Sequence, residues 1–87
     1  MPYALLIKAS AAKELEAVDG AAMRRKIVDV IQNLANDPRP PACNKLAGHD
    51  SEYRLRVGDY RIVYTVNDGK IVVEIIKIGH RREVYRR

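Results

Sequence analysis

The chain reads as a single α+β domain spanning 1–87, in which an N-terminal strand and a helix hairpin precede an antiparallel β-meander that packs on the helices. Three observations predict it. A 3.6-residue apolar period runs from Met23 to Leu34, a period of two takes over from Tyr53 to Ile78, and two glycine-containing turns, Gly58-Asp59 and Asp68-Gly69, divide that second region into three strands. At 87 residues and 47% hydrophobic content there is room for one modest core and no second globular unit.

Taken in order, Tyr3 to Ala9 is apolar, aromatic and short enough to be a strand. Ser10 is placed to cap a helix running through Ala11, Ala12, Leu15 and Ala17 and stopping near Asp19 and Gly20, although Lys13 at the third position leaves the capping box incomplete. In the second helix Met23, Ile27, Val30, Ile31 and Leu34 share one stripe, with Arg24, Arg25, Asp29 and Gln32 outside it. The segment from Asn36 to Pro41 ends this helix, because Pro38, Pro40 and Pro41 lack backbone donors and fix φ. A loop to about Asp50 follows.

The turns predict a register. With Gly58 and Asp59 as a two-residue type II′ turn, Val57 faces Tyr60, Arg56 faces Arg61, Leu55 faces Ile62 and Tyr53 faces Tyr64. A type I′ turn at Asp68 and Gly69 would pair Val66 with Ile71, Tyr64 with Val73 and Ile62 with Ile75. Both alignments gather the apolar residues on the helix-covered face.

The same alignment forces Arg54, Arg56 and Arg61 together onto the other face. Arg54 and Arg56 then stand about 7 Å apart along one strand, and Arg56 lies opposite Arg61 with Cβ atoms roughly 5 Å apart. Like charges so placed destabilise a sheet, which suggests an anionic ligand. Glu74, expected opposite Val63, is the acid within reach. Charge distribution agrees: the whole excess of +5 falls in residues 53–87, which hold nine Lys and Arg against four acids. Seven of those nine are Arg, the side chain that forks onto phosphate oxygens. A polyanion, either nucleic acid or an acidic protein, is the ligand class this predicts; a solvated basic face is the plainer alternative.

Beyond Ile78 the chain is a basic tail, Gly79-His80-Arg81-Arg82-Glu83-Val84-Tyr85-Arg86-Arg87. A tyrosine among cations has its phenol pKa lowered and its ring available for stacking on a base, so Tyr85 is a proton-transfer candidate, and His80 is a second.

Other classes are excluded or left without support. No apolar stretch approaches the roughly 20 residues of a membrane helix, no secretory signal is evident, and the expected compartment is the cytoplasm. Cys43 stands alone, with no internal disulfide and no zinc ligand set to join. There is no GxSxG, no P-loop, no metal-spaced cluster and no histidine pair of the kind ordinary ribonucleases use, so no metal and no small-molecule cofactor is expected. An enzyme built this way would work by electrostatics and positioning. Cleavage of RNA by its own 2′-hydroxyl asks for in-line alignment, charge stabilisation and a proton for the leaving 5′-oxygen.

Asn44-Lys45-Leu46, Tyr53-Arg54-Leu55-Arg56, the run Gly58-Asp59-Tyr60-Arg61-Ile62-Val63-Tyr64 and the run from Ile78 to Tyr85 together resemble the RelE branch of the RelE/ParE toxin superfamily. The resemblance covers essentially the whole chain. It implies a RelE-like fold and a type II toxin that enters the ribosomal A site, cleaves the messenger RNA there, and is silenced by a cognate RelB-like antitoxin. It places active-site bases at Arg54, Arg56, Arg61 and Arg81 and the C-terminal aromatic at Tyr85. The catalytic set it suggests is Arg56, Arg61, Arg81 and Tyr85, with Lys45, Arg54, His80 and Arg82 as RNA-binding residues. Several RelE toxins carry lysine where this chain has Arg54 and Arg56. Arginine does not give up its proton as lysine can, which argues against a general base at position 56. Two other functions fit the same residues: a ParE-like DNA gyrase poison, and a non-enzymatic protein whose basic face binds an acidic antitoxin to form an operator-binding repressor.

Overall fold

A computed structural model describes residues 2–46 and 51–80. The order is β1 (Ala4–Ile7), α1 (Ala9–Glu16), α2 (Ala21–Asn33), β2 (Asn44–Lys45), β3 (Glu52–Val57), β4 (Tyr60–Asn67) and β5 (Val72–His80). The strands form one sheet in the order β1-β5-β4-β3-β2. The expected α+β architecture is present, with two additions. β1 joins the meander parallel to β5, from Ala4 opposite Val72 to Ile7 opposite Ile75. The two-residue β2, in what was expected to be loop, pairs antiparallel with β3. Among the described residues no helix is long and apolar enough to cross a membrane.

The α2 stripe packs as its period demands: Ile27, Ile31 and Leu34 are buried, and Met23 and Val30 pack partly buried against the same core. From the sheet, Leu55, Val57, Ile62, Tyr64, Val66, Val73, Ile75 and Ile78 complete it. Each fully buried branched side chain contributes about 1.5–3 kcal/mol. The α1 start differs from expectation. Lys8, with an extended backbone, is the N-cap, and Ser10 lies inside the first turn with no capping bond. The reason is that the Lys8 N–H still bonds the Ile75 carbonyl at 2.9 Å, so the chain passes from strand to helix with no residue left over for a cap.

Across Gly58 and Asp59 the β3–β4 register is the expected one, including Arg56 opposite Arg61 and Tyr53 opposite Tyr64. Gly58 has φ +58 while Asp59 is not left-handed, the pattern of a turn with glycine first. The β4–β5 register is not the expected one. Val66 faces Val73 and Tyr64 faces Ile75; a bulge at Ile76 then brings Ile78 opposite Ile62, Gly79 opposite Arg61 and His80 opposite Tyr60. Glu74 consequently pairs with Thr65, not Val63, and stands further from the arginines. Gly69 is not left-handed; Ile71 is, at φ +56, an unfavourable conformation for a β-branched residue.

One side-chain bond and one backbone bond explain the longer turn. The Lys70 N–H donates to Asn67 Oδ1 at 2.9 Å, and the Ala4 N–H donates to the Ile71 carbonyl at 2.9 Å. Asp68 is drawn out of a hairpin role: its Oδ1 accepts from Tyr3 Oη at 2.7 Å and Arg39 Nη1 at 3.2 Å, and its Oδ2 from Arg39 Nη2 at 2.8 Å. Arg39 Nε donates to Tyr53 Oη at 2.8 Å, and Tyr64 Oη donates to the Pro38 carbonyl at 2.8 Å. The proline segment, the N-terminal strand and the β4–β5 turn are thereby tied to one end of the sheet.

The bonds from Arg39, and then from Tyr3, hold the Asp68 carboxyl below its ordinary pKa of 3.8. A depressed folded-state pKa contributes stability that is fully present above the unfolded value and lost as pH falls through the lower folded value. We therefore expect the thermal midpoint of the wild-type protein to exceed that of Asp68→Asn above pH 3.8, and the gap to close on further acidification. Calorimetry across that range measures it, and a gap independent of pH would rule the carboxylate out as its source.

Candidate nucleic-acid interface

Strand alternation builds the site at the sheet end that carries the Gly58 turn. On the face away from the α2 stripe, Arg54 stands opposite Val63 and Lys77, and Arg56 opposite Arg61 and Gly79. Toward the other end the same face changes sign, with Glu52, Thr65, Glu74 and Leu6 aligned across four strands. The face therefore runs from acidic at the β4–β5 turn to basic at the β3–β4 turn. An extended polyanion would be drawn to the basic end.

The arginines are not equivalent. Arg56 is exposed and Arg54 half-buried, whereas Arg61 is only 5% exposed. A solvent-facing Arg61 was the expectation. It sits instead on β4, the central strand, flanked on this face by neighbours from β3 and β5 and followed by the buried Val63. Such a guanidinium is held in place in a low-dielectric setting, where its attraction for an anion exceeds what it would be in water. Gly79 leaves the position beside it without a side chain. Arg56, on a stretch of β3 that β2 does not reach, also lines a recess of about 270 Å³ with Val30, Leu34, Pro40 and Leu55.

Two expected RNA-binding residues are not brought to this face. Lys45 pairs with Tyr53, so alternation puts it on the helix side of the β2 edge; Asn44, opposite Arg54, takes the position on the arginine side. His80 pairs with Tyr60 and meets its ring edge-on at 5.7 Å between centroids, beside Glu14 and Ala17 of the α1 segment. The Asp19 N–H donates to Tyr60 Oη at 3.2 Å, fixing that ring. Arg81, Arg82 and Tyr85 lie outside the described residues. His80, the last described residue before them, is at the same sheet end as Arg56 and Arg61. Sequence reasoning missed Asn44 and Gly79. A two-residue strand has no period to detect, and the place of Gly79 depends on the bulge at Ile76. Among the described residues no group of His, Cys, Asp and Glu is arranged to hold a metal ion.

Comparison with known proteins agrees with this fold. Residues 5–85 match the family described as the ParE toxin of the type II toxin-antitoxin system parDE. Toxin RelE of Mycobacterium tuberculosis is 38% identical over 88 residues, covering 98% of this chain and 88% of the relative. The chain belongs to the RelE branch of the RelE/ParE toxin superfamily. The mRNA interferase toxin RelE of Escherichia coli K12 is 42% identical over 67 residues, 72% of this chain and 65% of that protein. Among solved structures, the archaeal RelE in its complex with RelB from Pyrococcus horikoshii superposes with a TM-score of 0.82 at 31% identity, covering 93% of this chain and 97% of that one. A free Escherichia coli RelE carrying two arginine-to-alanine changes gives 0.78 at 36% identity, with coverages of 99% and 93%.

For this RelE-branch toxin the Arg56 and Arg61 pairing is a cost to the fold, since like charges facing each other across a ladder repel. Arg56→Ala is accordingly expected to raise the unfolding free energy by a few tenths of a kcal/mol, measured by urea denaturation. A clear loss of stability would show that the pair is structural.

Proposed function

We propose that the protein is a ribosome-dependent endoribonuclease that cleaves messenger RNA in the A site by 2′-hydroxyl attack, without a metal, and that a RelB-like antitoxin silences it in the cytoplasm. The observation that carries this reading is the alignment of Arg56 with Arg61 beside Gly79 at the basic end of the sheet. Support also comes from relatives named mRNA interferase and from the RelE and RelB complexes among the related structures.

In the scheme, Arg61 is the fixed cation and Arg56 the exposed one, and together they stabilise the charge that develops on the phosphorane. Preorganised donors of this kind lower a barrier because they need no rearrangement when charge appears. Arg54 holds the phosphate backbone further along β3. Arg81 is assigned to the leaving 5′-oxygen and Tyr85 to the 2′-hydroxyl proton. His80, turned toward Tyr60 on the helix side, is the weaker base candidate. The planar, forked donors of an arginine at position 56 suit charge stabilisation better than proton abstraction.

The family description carries the ParE name, so gyrase poisoning is the second reading. One pair of assays separates them: purified protein added to ribosomes translating a defined message, with cleaved ends mapped, and the same protein added to gyrase with supercoiled plasmid. We expect cuts at the A-site codon. Arg56→Ala and Arg61→Lys should slow them by about 10²–10³-fold, and Tyr85→Phe should leave slow residual cleavage. Trapped cleaved plasmid with intact message would favour the gyrase reading. Intact message and intact plasmid would leave antitoxin binding alone, and full activity of Tyr85→Phe would remove Tyr85 from the scheme.

A further inference from the structure

β1 ends at Ile7, opposite Ile75, and among the described residues the Lys8 N–H makes the last backbone bond along that edge, to the Ile75 carbonyl. β5 continues to His80, and among the described residues no strand pairs with its outer edge there. Glu14, near the end of α1, takes that place. Its Oε1 accepts the Ile78 N–H at 2.9 Å and its Oε2 accepts from Lys77 Nζ at 2.8 Å. One carboxylate grips two consecutive residues directly after the bulge at Ile76.

A bulge is where a strand can slip by one residue. Continuing the Tyr64 and Ile75 alignment without the bulge would set Ile78 opposite Arg61 and Lys77 opposite Ile62, putting a branched side chain beside the buried guanidinium. Burial of Ile78 already opposes that slip. Among the described residues, however, the backbone of this stretch has β4 on one side, and what holds its other side is Glu14. We infer that Glu14 is a positioning residue for RNA cleavage: its carboxylate fixes Lys77 and Ile78 so that Gly79 stays opposite Arg61 and the guanidinium keeps its place facing the phosphate. The catalytic half of this inference rests on the cleavage reading above.

The test compares wild-type protein with Glu14→Gln, which keeps the length and the acceptor for Ile78, and Glu14→Asp, which keeps the charge but falls one methylene short. On programmed ribosomes at saturating toxin, Glu14→Asp should cut about 10–100-fold more slowly, the scale of a displacement of about 1 Å. The toxin concentration giving half-maximal rate should stay unchanged, and Glu14→Gln should restore most of the rate. A merely destabilised protein would hold less folded toxin, which raises the half-maximal concentration and leaves the saturated rate unchanged. In parallel, NMR should show the Ile78 amide exchanging faster and the Arg61 Nε–H resonance displaced in Glu14→Asp, with both near wild type in Glu14→Gln. Unaltered Ile78 and Arg61 resonances in Glu14→Asp would overturn the positioning claim even if the wild-type protein left messages intact, a result that by itself would sink the cleavage reading instead. A wild-type cleavage rate in Glu14→Asp, beside an active wild-type protein, would overturn the catalytic half.

Discussion

The antiparallel pairing of β3 with β4 across Gly58 is the constraint on which the site depends. Side chains alternate along a strand with a period of two, so once Val57 faces Tyr60 every later residue has its side of the sheet assigned. Leu55, Ile62, Tyr53 and Tyr64 go to the core, and Arg54, Arg56 and Arg61 go to the opposite face together. A slip of one residue would exchange the two sets and bury three guanidinium groups under the helices. The energy of the apolar core thus enforces the cationic cluster. Gly58 permits this by taking a left-handed φ that a side-chain-bearing residue would adopt at a cost of about 1–2 kcal/mol.

Legibility in the sequence follows how local each determinant is. The β3–β4 register could be read because a two-residue glycine turn leaves one alignment that keeps the apolar residues together. The α2 stripe could be read because five apolar residues repeat at helical spacing. The β4–β5 register could not, since it is decided by partners distant in sequence: Arg39 and Tyr3 on Asp68, and β1 along Val72–Ile75. Those contacts lengthen the turn and force Ile71 into a left-handed backbone, and the bulge at Ile76 then changes which residue faces Arg61. The same non-local origin separates Lys45 and His80 from the arginines. Their chemistry suits RNA, but pairing with Tyr53 and Tyr60 turns them to the other side.

The two ends of the sheet divide the work. At the β4–β5 turn, Arg39, Asp68, Tyr3 and Tyr53 satisfy one another and anchor three segments. At the β3–β4 turn, Arg56 and Arg61 face each other, an arrangement that, under the proposed function, gains its value from a ligand carrying the opposite charge. Stability set aside at a site in favour of preorganised charge is a common trade between folding and activity. Glu14 belongs to neither end, but it holds the edge of β5 where the sheet passes from one to the other.

If the strand pairing makes Arg56 and Arg61 act on one phosphate as a unit, their substitutions cannot be independent. The most direct test is a double-mutant cycle on the message-cleavage rate using Arg56→Lys, Arg61→Lys and the double variant. Residues in one interacting network show coupling of about 0.5–3 kcal/mol, so the double variant should cleave faster than the product of the two single losses predicts. Losses that multiply without coupling would mean that the two guanidinium groups serve separate ends, and the central claim would fail.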